Sequence, residues 1–177
     1  MSYQQKYLKY KQKYLTLKNQ KGGMMIDEFI GLIATNNYDS LLAFSTSNET
    51  DFKELVNTRS GTNIPLNNAI FNYERNKEDR ENQEKSLNIV RLLLRMGANV
   101  DFQDDFGSTA LIHAVNRNLI VIVNILVQYG ARVDLETKSG MSALSIAKSI
   151  AKSIAKLKNN EEIIAILSSP PMKNKHK

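Results

Sequence analysis

The 177-residue chain contains no cysteine. That excludes disulfides, thiolate metal sites and cysteine nucleophiles. Its two histidines, His113 and His176, are too few for a zinc centre, which takes three or four good ligands. No apolar run approaches the roughly 20 residues that a membrane-spanning helix requires. The lysine-rich start lacks the apolar core of a secretory signal. No glycine-rich phosphate loop is present, because Gly22-Gly23 is an isolated pair. No enzyme, metal or cofactor is therefore expected, and the protein should work inside a cell, in a reducing compartment. Hydrophobic residues, at 42%, still suffice for a packed core.

Acidic residues are missing from residues 1–23, which hold Lys6, Lys9, Lys11, Lys13, Lys18 and Lys21. The whole chain carries a formal charge of +6, so residues 24–177 are neutral overall. Its basic character belongs to a leader and not to the body, which argues against a nucleic-acid-binding fold. The abundance of Asn, Lys and Ile, residues with A/T-rich codons, suggests an A/T-rich genome.

The body repeats. Gly97-Ala98-Asn99-Val100-Asp101 returns as Gly130-Ala131-Arg132-Val133-Asp134, and Gly107, Thr109, Leu111 and Ala114 return as Gly140, Ser142, Leu144 and Ala147. Both blocks share an offset of 33 residues. A weaker copy begins at Ile64-Pro65-Leu66 and Ala69. Thr109 and Ser142 are N-cap candidates, and Pro65 suits a first helical position. Asn116-Arg117-Asn118 breaks the chain, a second helix spans Ile120 to Gln128, and Gly130 suits its C-terminal cap. The polar stretch from Val133 to Gly140 reads as a turn or hairpin. A helix–turn–helix–loop unit this short must stack on copies of itself, and Leu92–Leu94 and Ile120–Val127 are apolar enough for helices packed on both sides.

Gly107-Ser108-Thr109-Ala110-Leu111-Ile112-His113-Ala114, followed by Ile125-Leu126-Val127-Gln128-Tyr129-Gly130-Ala131, resembles an ankyrin repeat, whose pattern is Gly-x-Thr-Pro-Leu-His-x-Ala and later Leu-Leu-x-x-Gly-Ala-Asp. The resemblance covers roughly residues 26–168. It implies an all-α ankyrin-repeat solenoid over residues 24–168, with a cap at 26–56 and repeats at about 60–103, 104–136 and 137–168. An amphipathic helix at 1–23 should precede it, and a tail at 169–177 should follow.

Several departures stand out. Ile64 takes the place of the capping Thr, and Gly61 lies one residue early. Ala69 to Gly97 spans 28 residues against 16 from Ala114 to Gly130, so about twelve are inserted near Asn72–Ser86. That charge-dense piece should be solvated, as a helical extension or a loop. Ser145-Ile146-Ala147-Lys148 recurs twice by residue 156, and a period of four drifts only about 40° per step around a helix. A first helix lengthened by two turns is expected. In the cap, Phe29 to Ile33 and Leu41 to Phe44 should form helices broken at Asn36-Asn37, with Ser47–Asp51 as a loop. Ser168-Ser169-Pro170-Pro171 should end the last helix.

In the leader, Tyr3, Tyr7, Tyr10, Tyr14 and Leu17 form a heptad-like stripe, and Gly22-Gly23 should stop its helix. This segment is similar to a leader on many proteins of mimivirus-like giant viruses. The resemblance implies a viral protein in the cytoplasm or viral factory of an infected host cell, or in the virion. Three readings of the leader stay open: a solvated helix, an address or assembly tag, and a weak contact with nucleic acid or an anionic membrane.

Ankyrin resemblance implies a protein partner, host or viral, and no small-molecule substrate; a monomer is expected. It places contacts on Ser60, Gly61 and Asn63, on Gln103, Asp105, Phe106 and Ser108, on Asn116 and Arg117, and on Glu136, Lys138, Ser139 and Met141. Phe106 is the leading anchor, because an aromatic at a loop tip lacks an evident core role. His113, in an apolar helix, reads as a packed, hydrogen-bonded residue, and Asp104-Asp105 as turn residues. The alternative function is a virion or viral-factory component localised by its leader, with the repeats as a spacer. Too few residues follow Leu167 for the F-box-like segment of many viral ankyrin proteins, which disfavours a ubiquitin-ligase adaptor.

Overall fold

The computed structural model describes residues 22–153 and 158–169. The leader stripe Tyr3, Tyr7, Tyr10, Tyr14 and Leu17 lies outside them, as do the end of the Ser-Ile-Ala-Lys run and the C-terminal tail. The described residues are helical almost throughout. Their only β pairing is two isolated bridges, Ser60 with Asn63 and Glu136 with Ser142. The chain divides between Ala98 and Asn99 into two compact units.

The first unit holds α1 (Gly22–Ala34), α2 (Tyr38–Ser47), α3 (Glu49–Leu55), α4 (Pro65–Arg75) and α5 (Arg80–Arg95). Helix α1 begins at Gly22 and so runs through the glycine pair expected to stop a helix. Its Ile26, Phe29, Ile30 and Ile33 are buried, and that one-sided stripe holds the helix against α4. Asn36 then takes φ 56, and the Asn36 and Asn37 amides return to the carbonyls of Ile33 and Leu32. This is a Schellman closure with Asn in the left-handed position. Asn37 starts α2 by accepting from the Ser40 N–H at 3.2 Å.

Residues 47–51 are not a loop. Asn48 alone interrupts the path, and Glu49, Thr50 and Asp51 are the first turn of α3. Two acids at a helix N-terminus favour it, as does the Glu49–Lys53 pair at 2.7 Å. The decisive term is burial of Phe52, whose ring meets Phe29 edge-on at 5.0 Å between centroids.

The insertion resolves as longer helices. α4 has 11 residues and α5 has 16, against 7 and 9 for their counterparts in the next repeat. Its charged residues are mostly exposed, as expected, but its polar ones turn inward. Asn72 donates to the Ile33 carbonyl at 2.5 Å and Arg75 to that of Ala34 at 3.1 Å. Asn36 donates to the Asn82 carbonyl at 2.7 Å, and the fully buried Ser86 hydroxyl lies 2.9 Å from Asn36 Oδ1. The extension thus adds a second donor to the Ile33 carbonyl and one to that of Ala34 at the end of α1.

The second unit holds α6 (Ala110–Asn116), α7 (Ile120–Gln128), α8 (Ala143–Ser153) and α9 (Lys158–Ser168). Thr109 caps α6 through the Ile112 N–H at 3.2 Å, and Ser142 caps α8 through that of Ser145 at 3.3 Å. α6 packs on α7 and α8, α7 on α9, and α8 on α9. Leu111, Ile112, Ile122 and Leu126 are essentially inaccessible, each contributing about 1.5–3 kcal/mol by burial. α7 is not enclosed all round: Val121 is 40% exposed. Ala143 and Ala147 are buried like Ala110 and Ala114, so α8 keeps the repeat's register, and the residues after it extend the helix through Ser153.

The 33-residue symmetry is visible in the backbone. Gly97 and Gly130 have φ 90 and 85, and Gly107 and Gly140 have φ 76 and 75. After α5 and α7 the same pair of closing bonds recurs, Ala98 N–H to Leu93 and Gly97 N–H to Leu94, then Ala131 to Leu126 and Gly130 to Val127.

Candidate functional site: the loop face of the second unit

Two hairpin loops, 104–108 and 137–141, stand side by side. Each closes in the same way. The Asp104 N–H donates to the Ser108 carbonyl and that of Thr137 to Met141, both at 3.0 Å. Asp104 Oδ1 accepts from the N–H groups of Phe106 and Ser108 at 2.9 Å, and Thr137 Oγ1 accepts from the Met141 N–H at 3.1 Å. Asp104 thus does the turn chemistry expected of it.

Two bonds join the loops. The Lys138 N–H donates to the Phe106 carbonyl at 2.9 Å. The Gln103 amide donates to the carbonyls of Gly107 at 2.8 Å and Glu136 at 2.9 Å. Gln103 therefore serves as a strut between loops. Ser108 is buried, with its N–H and carbonyl both committed to Asp104, so its backbone is spent on closing the loop.

These bonds fix the Phe106 backbone and leave its ring in solvent at 76% exposure. The ring does not fold back onto its loop. Asp105, Asn116, Glu136, Lys138 and Ser139 are exposed around the same unit's loops and α6, while Arg117 and Met141 are half-buried. Ser60, Gly61 and Asn63 form a separate tight turn in the first unit, where the Ser60 hydroxyl donates to Asp27 at 2.5 Å and Gly61 takes φ 58.

One cluster was only half legible in the sequence. His113 Nε2 lies 2.7 Å from Asp104 Oδ2, and Arg117 Nη1 lies 3.4 Å from His113 Nδ1. An ionised carboxylate only accepts and a guanidinium only donates, so Nε2 carries the hydrogen and Nδ1 accepts. The 9-residue and 4-residue separations are the signal: one spans loop to helix, the other is one helical turn. Repeating the offset gives Thr137, Ile146 and Ile150, so this cluster is peculiar to one repeat.

Burial pushes the Asp104 carboxyl up, but hydrogen bonds from the Ser108 N–H, the His113 ring and the Phe106 N–H outweigh it and hold the group below the ordinary carboxylate range. A depressed folded-state value means stability that is present above the unfolded pKa and lost as pH falls through the folded one. Asp104→Asn should remove that part of the acid limb. An amide nitrogen facing His113 Nε2–H sets donor against donor, and the other tautomer would aim Nδ1–H at Arg117. The expected cost at neutral pH is about 1–2 kcal/mol, read by urea unfolding at pH 7 and at pH 3.

Among the described residues, no group of three or more His, Asp or Glu could hold a metal, and no helix is long and apolar enough to cross a membrane. No curated protein matches the sequence. The family model for ankyrin repeats (3 copies) matches residues 81–169, just over half of the chain. Ankyrin repeats generally mediate protein–protein interaction and form a non-catalytic fold. The match begins inside α5 and leaves the earlier helices uncovered, yet it takes in both loops, all four helices of the second unit and the 33-residue period that relates them; by these the chain belongs to the ankyrin repeat family.

Proposed function

We propose that this protein is a non-enzymatic adaptor that binds a protein partner, host or viral, through the loop face of its second unit. The exposed Phe106 ring carries the reading. A large apolar side chain on a backbone fixed by bonds at both Asp104 and Lys138 loses little further freedom on binding, which suits an anchor. Asp105, Asn116, Arg117, Lys138 and Ser139 supply a polar rim, and Met141 an adaptable one. Phe106→Ala should weaken a captured partner at least about thirtyfold, or about 2 kcal/mol, with thermal unfolding unchanged because no core contact is lost. Equal affinity of the variant would defeat the reading.

The second reading rests on charge. All of the net +6 sits in residues 1–23, which fits an address or assembly tag placing the protein in a giant-virus factory or virion. Localisation that survives removal of those residues would argue against it.

A further inference from the structure

The internal repeat of the second unit shows what each hairpin edge can hold. The outer edge of loop 104–108 is occupied: the Thr137–Lys138 backbone, where the second hairpin begins its turn, lies against it, Lys138 donating to the Phe106 carbonyl, while the Gln103 amide bridges to the Glu136 carbonyl. It lies so close that a Cβ on Gly107 would sit 2.8 Å from Lys138 N. Shifting by 33 residues turns Gln103, Phe106 and Gly107 into Glu136, Ser139 and Gly140. Gly140 keeps the conformation, φ 75 against 76, but a Cβ there meets nothing within 4 Å. Glu136, Ser139 and Gly140 are exposed. The second hairpin therefore repeats the receptor geometry of the first, and no described residue fills the place beside Gly140.

Five of the six loop residues differ between the hairpins, Asp105 becoming Lys138 at the tip among them, and the change at the strut position, Gln103 to Glu136, says what fits along the edge. Gln103 donates to its own Gly107 carbonyl and to the neighbouring backbone at once. Glu136 cannot donate, so its carboxylate and the Gly140 carbonyl are both acceptors. An ammonium or guanidinium between them donates to both and adds charge-assisted hydrogen bonding. The unaltered hairpin of a second copy, which brings a backbone carbonyl and its own Glu136 to that point, offers no donor and is repelled; a lysine in place of that glutamate supplies the donor.

We propose that the outer edge of hairpin 136–141 binds a basic segment of a protein partner, with a backbone N–H donated to the Ser139 carbonyl and a lysine or arginine set against Glu136. This rests on the reading that the loop face binds protein, and it assigns chemistry to one side of that face; the mode is the side-by-side docking of loops that already joins the two hairpins.

The probe is a peptide copying residues 132–142 with Glu136→Lys, since that backbone already occupies the equivalent place in the first hairpin. It is titrated into the full chain and followed by amide NMR shifts and fluorescence anisotropy. Shifts are expected at Glu136, Ser139 and Gly140. Glu136→Lys in the protein should weaken binding about tenfold or more, the peptide with native Glu136 should bind at least as poorly, and Glu84→Lys, the same charge reversal at an exposed position of the first unit, should change nothing. Equal binding of the two peptides, shifts centred elsewhere, or none at about 1 mM peptide overturns the inference. The two ideas fail separately. Loss of a captured partner on Phe106→Ala, with no effect of Glu136→Lys on partner or peptide, removes the edge site alone. Peptide binding as expected, with partner affinity indifferent to Phe106→Ala, removes the Phe106 anchor alone.

Discussion

Gly107→Ala is expected to destabilise the second unit by about 3–4 kcal/mol, whereas Gly140→Ala, at the same backbone conformation, should cost about 1 kcal/mol. Both glycines hold positive φ, 76 and 75, where an L side chain costs about 1–2 kcal/mol. They differ in what surrounds them. A Cβ on Gly107 meets Lys138 N at 2.8 Å, Thr137 C at 3.1 Å and Thr137 Cα at 3.2 Å, all backbone, while one on Gly140 enters open space. Backbone cannot swing aside as a side-chain end can. The hairpins must separate, straining the Lys138–Phe106 and Gln103–Glu136 bonds, each worth about 1 kcal/mol. Urea unfolding of both variants measures the gap; equal losses would mean the loops are not held together as described.

The second large effect is in the core. Leu111→Ala should cost about 3 kcal/mol, within the range for a buried leucine truncated to a methyl. Leu111 is wholly inaccessible in α6, a helix of only 7 residues whose stability comes from packing rather than length. Its counterpart 33 residues on, Leu144, is half-buried, and Leu144→Ala should cost about 1 kcal/mol. Against the 5–15 kcal/mol typical of a whole domain, the first loss is severe and the second is tolerable. Thermal melts of the two variants would contradict the account if Leu144→Ala proved the worse.

Much of this was legible because the repeat supplies two readings of every position. Thr109 and Ser142 as caps, the span Ile120–Gln128 and the glycines at 97, 107, 130 and 140 followed from one offset and local rules. Failures came where tertiary burial overrides local signals. Ser47–Asp51 is polar enough for a loop, but Phe52 and Leu55 supply a buried face that continues the helical path. Gly22-Gly23 is a poor helix sequence, yet the stripe that follows, from Ile26 to Ile33, sets the helix. At the site, Phe106 could be placed at a tip but not oriented. The burial of Ser108, on an exposed loop, comes from bonds to Asp104 that only folded geometry reveals. Gln103 as a strut, and the Asp104–His113 bond, depend on contacts across the loop that no periodicity encodes; only the one-turn spacing of His113 and Arg117 is written in the sequence.

The central claim is that recognition lives on the loop face and not in the basic leader. The most direct measurement is affinity purification from cells that make the protein, with the full chain, residues 24–177 and the full-length Phe106→Ala variant as baits, read by quantitative mass spectrometry. The account predicts one partner retained by the first two baits and depleted from the third, with all three baits showing the same circular dichroism melt. A partner that disappears with residues 1–23 and remains on Phe106→Ala would contradict it.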